Sequence, residues 1–114
     1  MEGHYFLSDL RAVASFGDRM VKLDCFRSEH LFAGLNCLKR GQSQRTHTHD
    51  GMDKLYVVIS GKARIVVGDD RRDVGTGGMA WAPAGAPHGI EEALEDSVLL
   101  VVMAPPQSEQ SPRG

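Results

Sequence analysis

The chain has 114 residues, of which 41% are hydrophobic and 25% charged, and its formal net charge is −2. This length suits one domain with its own apolar core and leaves no room for a second. The two charge signs are mixed without a basic stripe, and the longest apolar run, Val98 to Met103, is far too short to cross a bilayer, so neither a nucleic-acid partner nor a membrane partner is expected.

The first residues, MEGHYFLSDL, carry neither the basic start nor the apolar stretch of a secretion signal, so a cytoplasmic location is expected. From Asp9 to Phe16 two readings stand side by side. Leu10, Val13 and Ala14 fall at helical spacing with Gly17 as a stop; alternatively the segment is a strand that pairs with a barrel edge. The rest reads as strands: Met20 to Phe26, Leu31 to Lys39, Ser43 to His49, Lys54 to Ser60, Lys62 to Val67, Arg71 to Val74, Met79 to Ala82, His88 to Ala93 and Ser97 to Ala104. Thirteen glycines punctuate these runs. Ser60-Gly61-Lys62 and Gly68-Asp69-Asp70 read as hairpin turns, because glycine supplies positive φ without steric cost. Pro83, Gly85 and Pro87 exclude helix and mark an ordered loop. Many short strands at close spacing indicate an all-β sandwich or barrel. Residues 1–104 are expected to form the barrel domain with an N-terminal arm, and 105–114 a polar tail.

Cys25 and Cys37 match no CxxC or zinc-finger spacing, and in a reducing compartment they are expected as small buried side chains. The histidines are more informative. In a strand, residues two apart share a face, so His47 and His49 can turn two imidazoles towards one ion while Thr48 points away. His88 is the one His downstream, and the rigid Pro83 to Pro87 approach would fix its direction. His4 and His30 have no partner at a useful spacing and read as structural. Arg45 shares the parity of His47 if the strand is regular, and would then meet a substrate carboxylate or sit on the rim. Tyr56 and Trp81 are candidates for the wall of a ligand pocket, with core packing as the alternative. Gln44, Thr46 and Thr48 are near enough to steady the imidazole rings.

At these residues the chain resembles the cupins. The first cupin motif is a Gly, five residues, His-x-His, three or four residues, a Glu, six residues and a Gly; Gly41, His47, His49 and Gly61 fall at those places. The second is a Gly, five residues, Pro-x-Gly, two residues, a His, three residues and usually an Asn. Gly77, Pro83, Gly85 and His88 match it, with Glu92 where Asn is usual. The resemblance covers about Gly34 to Pro105. It implies a double-stranded β-helix, or jelly-roll, barrel in which His47, His49 and His88 hold one divalent transition metal: Fe, Mn, Ni, Zn or Cu. It also implies a small-molecule substrate or ligand and a homodimer. The activities it implies are of dioxygenase, isomerase or decarboxylase type, with a non-enzymatic binding or sensing protein, with or without metal, as the alternative.

The departure is the motif's Glu. Lys54 stands at its position, with Asp53 beside it. Either a bulge re-aims Asp53 inward as a fourth ligand, or Lys54 points in. Regular alternation puts Lys54, Tyr56 and Val58 on one face and so favours Lys54. Burial would lower the pKa of an inward Lys54, which makes it a candidate general base.

Overall fold

The computed structural model describes residues 5–106. Residues 107–114 of the expected tail at 105–114, and the first four residues, lie outside the described residues. The elements are α1 (Leu10–Val13), β1 (Val21–Arg27), β2 (Phe32–Leu38), β3 (Gln44–His47), β4 (Asp53–Ser60), β5 (Lys62–Val67), β6 (Asp70–Gly75), β7 (Met79–Ala82), β8 (His88–Ala93) and β9 (Ser97–Ala104). All strand pairings are antiparallel. They make a five-stranded sheet in the order β1-β2-β9-β4-β7 and a four-stranded sheet in the order β3-β8-β5-β6. The fold is the expected all-β jelly-roll.

Between the sheets lies the main core. Tyr56 and Val58 of β4, Ile65 of β5, Ile90 of β8 and Leu99, Val101 and Met103 of β9 meet there, all buried. Up to Val58 the alternation of β4 is regular: Lys54, Tyr56 and Val58 face in, whereas Leu55 and Val57 are half-buried on the other face. A second cluster covers the outer side of the five-stranded sheet. Cys25, Leu35, Cys37 and Val98 pack there with Leu7, Leu10 and Ala14 of the N-terminal arm. The two cysteines are buried free thiols, and burial raises both pKa values. The apolar face of β1 and β2 explains the arm: it lays Leu7 and Leu10 on a sheet surface that water would otherwise meet. Of the two readings for Asp9 to Phe16, a single helical turn forms. Asp9 caps it through its side chain, which accepts from the Arg11 amide at 3.0 Å, and the turn ends at Ala14 rather than at Gly17.

One turn differs from expectation. Gly68-Asp69 does close a hairpin, with Val67 paired to Asp70. Ser60-Gly61-Lys62, however, is a corner where the chain crosses between sheets: β4 pairs with β9 and β7, and β5 with β6 and β8. Gly61 has φ 95°, and a Cβ there would collide with the Asp96 carbonyl oxygen and with Ser97. Ser97 Oγ secures the corner from below: it accepts from the Lys62 amide at 3.0 Å and lies 3.1 Å from the Lys62 carbonyl. Nothing in the local sequence separates such a corner from a hairpin, because both need positive φ at one residue.

Candidate metal centre

His47 closes β3 and His88 opens β8, and the two are direct cross-strand partners. Their ring centroids are 4.5 Å apart. His49 comes two residues past the end of β3, in the loop, and its ring lies 4.6 Å from that of His47 and 5.1 Å from that of His88. The strand expected to run to His49 therefore stops short, and the loop rather than strand parity aims the second imidazole. One ligand nitrogen from each of the three lies within 4.8 Å of the others.

Backbone carbonyls orient two of the rings. His47 Nδ1 is 2.7 Å from the Arg45 carbonyl oxygen, and His88 Nδ1 is 2.9 Å from that of Ala86. A carbonyl can only accept, so in both rings Nδ1 carries the proton and Nε2 keeps its lone pair. His88 Nε2 is buried and has no hydrogen-bond partner. Burial, first of all, holds His49 and His88 down to a pKa of about 4, with nearby Lys54 and His47 adding to it. Both are thus neutral at neutral pH, the form that binds a metal. Neutral imidazoles, fixed tautomers and a buried Nε2 without a partner together fit a divalent ion. For His47 and His88 the ring support is the carbonyl two residues earlier in the chain.

A bulge explains where Arg45 goes. Gln44 pairs with Ile90 and His47 with His88, so three steps on β3 oppose two on β8. The extra residue breaks the alternation and leaves Arg45 exposed, away from the face of His47. Gln44 is turned inward instead, where its Oε1 accepts from the buried Tyr56 hydroxyl at 2.6 Å. β8 comes close enough to β3 here that a Cβ on Gly89 would meet the Gln44 carbonyl and the Thr46 backbone.

Asp53 and Lys54 divide as regular alternation implies. Asp53 pairs with Ala104 and Lys54 with Met103 without a bulge. Asp53 is exposed, and its Oδ1 accepts from the Ala84 amide at 2.9 Å. It holds the Pro83–Pro87 loop rather than facing the imidazoles. The His49 carbonyl holds the same loop by accepting from the Gly85 amide at 3.0 Å. Lys54 is inside, 1% exposed, with Nζ 4.5 Å from the centre of the Tyr56 ring. The Tyr56 ring is 6.2 Å from that of His88. Burial and the charge of Lys22 push the Lys54 amine down to about 7, and burial pushes the Tyr56 phenol up.

Trp81 is not brought to this cluster. It sits on edge strand β7, 58% exposed, and with Met79, Val74 and Arg72 lines a separate groove of about 290 Å³ between β6 and β7. A cleft beside His49, about 300 Å³, is walled by Thr48, His49, Asp50, Met52, Pro105 and Pro106. Sequence reasoning did not single out Gln44 as the partner of Tyr56, nor Lys22 as a charge acting on the site. Both depend on pairings between distant strands.

The cupin domain model matches residues 34–104. An uncharacterized protein of Streptomyces coelicolor is 35% identical over 102 residues, covering 90% of this chain and 95% of its own. The crystal structure of TT1209 from Thermus thermophilus superposes with TM-score 0.81 at 39% identity, over 87% of this chain and 96% of that one. An RmlC-like cupin from Desulfovibrio desulfuricans gives TM-score 0.77 at 30% identity, over 94% of this chain and 99% of the other. Two sheets in jelly-roll order, three histidines at the motif positions and these matches agree: the chain belongs to the cupin family.

Proposed function

We propose that the protein holds one divalent transition-metal ion through His47, His49 and His88 and uses it on a small organic molecule bound in the cleft beside His49. The convergence of three imidazoles, two of them oriented through Nδ1 by a carbonyl, carries this reading. Fe, Mn, Ni, Zn and Cu all suit imidazole nitrogens. When bound, such an ion polarises an oxygen or nitrogen donor of the ligand, which is what dioxygenase, isomerase and decarboxylase chemistry on small molecules draws upon. The chain's own residues do the rest. The Arg45 and Ala86 carbonyls fix ring direction, Asp53 and the His49 carbonyl fix the loop that carries His88, and Met52 and Pro105 wall the cleft. Lys54, with its amine near pKa 7, is placed to take or return a proton near neutral pH.

Elemental analysis of protein purified without a metal-affinity tag tests the reading. One equivalent of metal, lost in His88→Ala, is the expected result; metal-free protein that takes up none on titration would overturn it.

A second reading, a ligand-binding cupin without turnover, is favoured by one observation. Among the described residues the imidazole group includes no carboxylate, since Asp53 is turned away and Lys54 faces in. Metal-loaded protein that binds small ligands yet turns over none of a panel of hydroxy and keto acids would support this second reading.

A further inference from the structure

Lys54 Nζ is buried and has no hydrogen-bond partner. The neighbouring groups supply none. The Tyr56 hydroxyl is committed to Gln44, Asp53 is outside on the Ala84 amide, and Lys22, the charge that acts on Lys54, has the same sign. The face of the Tyr56 ring is an attractive neighbour, at 4.5 Å. An amine withdrawn from water without an acceptor is costly, and a fold keeps one where something else completes it. The same interior holds a second buried nitrogen without a partner, His88 Nε2, whose ring is near enough to feel the Lys54 charge. Any divalent ion on the imidazoles adds further positive charge there.

We propose that Lys54 is the counter-charge for an anionic ligand, a small carboxylate held between Nζ and the imidazole cluster. A carboxylate offers what the site lacks. One oxygen accepts from Nζ in a charge-assisted hydrogen bond, and the other end of the ligand meets the imidazole side. The charge balance selects against neutral and cationic molecules of the same shape, because a neutral acceptor cannot balance the charge on Nζ and a cation repels it. The second anchor rests on the metal-site reading; the Lys54 anchor does not.

The test uses a matched pair of probes, glycolate and its neutral counterpart glycolamide, titrated by NMR or calorimetry against the zinc-loaded full chain. Wild type is expected to bind glycolate at least about tenfold more tightly than glycolamide. Lys54→Met is expected to lose that preference while zinc content stays at the wild-type level. Equal binding of the two probes by wild type, or a Lys54→Met protein that keeps the preference, would overturn the proposal. Lys54→Gln serves the same purpose if the Met variant does not fold, and the wild-type comparison needs no variant. If wild type takes up no zinc, the metal reading fails on that count alone. The same pair titrated against the metal-free chain then decides Lys54: a glycolate preference lost in Lys54→Met supports the proposal, and no preference overturns it.

Discussion

The carboxylate of Asp53 accepts the backbone amide of Ala84 at 2.9 Å, so the acid nearest the motif's Glu position ties two distant segments together. Asp53 begins β4, and Ala84 lies in the loop that delivers His88 to β8. Asp53→Ala should leave the barrel folded and loosen that loop. Losing one hydrogen bond to a charged acceptor should cost about 1–2 kcal/mol. Metal affinity should fall by about tenfold, the lower end for residues that steady a ligand. Denaturant unfolding and zinc titration of the variant check both numbers. An affinity equal to wild type would mean that the His49 carbonyl alone holds the loop.

The imidazoles give the protein a pH dependence with a definite sign. His49 and His88 are held near 4 when folded, against 6.5 when unfolded, so between those values the unfolded chain binds more protons. Their contribution is fully present above about pH 6.5 and is lost as pH falls from there towards 4. Metal-free protein should therefore show denaturation midpoints that decline over this window. The decline should be shallower in His88→Gln.

Lys54 acts at higher pH in the same sense. Its amine is near 7 when folded and 10.5 when unfolded, so stability should rise as pH climbs from 7 to 10.5. Lys54→Met should abolish that slope and should be more stable than wild type at about pH 7, because a buried amine without a partner is removed. Urea midpoints at about pH 7, 8.5 and 10 for both proteins decide it. A parallel rise in the variant would assign the slope to another group.

At the sheet-crossing corner, Gly61→Ala combines a positive φ with a collision against the Asp96 carbonyl and Ser97. A loss of at least about 2 kcal/mol is expected. Gly68→Ala, at a hairpin turn of φ 60° where a Cβ meets nothing within 4 Å, should cost less. Thermal midpoints of the two variants rank them.

Tyr56→Phe removes the hydroxyl that donates to Gln44 Oε1 in the buried core. A cost of about 1–3 kcal/mol is expected. The double variant Tyr56→Phe with Gln44→Leu should recover part of it, read by the same unfolding measurement.

Local sequence made much of this protein legible. Strand-forming runs between glycines specify an all-β chain, and the two spaced motifs name the three imidazoles. Regular alternation on β4 places Lys54 and Tyr56 inside, because the stretch from Asp53 to Val58 pairs with β9 without an extra residue and so has no means of changing face. The tertiary structure decided what alternation could not. A bulge in β3 turned Arg45 out and Gln44 in, and a bulge shows only in the pairing with β8. The strand ended at His47, so His49 is aimed by a loop held from Gly85. Trp81 went to an outer groove because β7 is an edge strand, and edge position is a property of the whole sheet. Asp53 became a clamp for the loop of His88 because a partner far away in sequence came within reach. The identities of the three histidines were thus written in local spacing. The surroundings that set their charge, support and access arise only where distant strands meet.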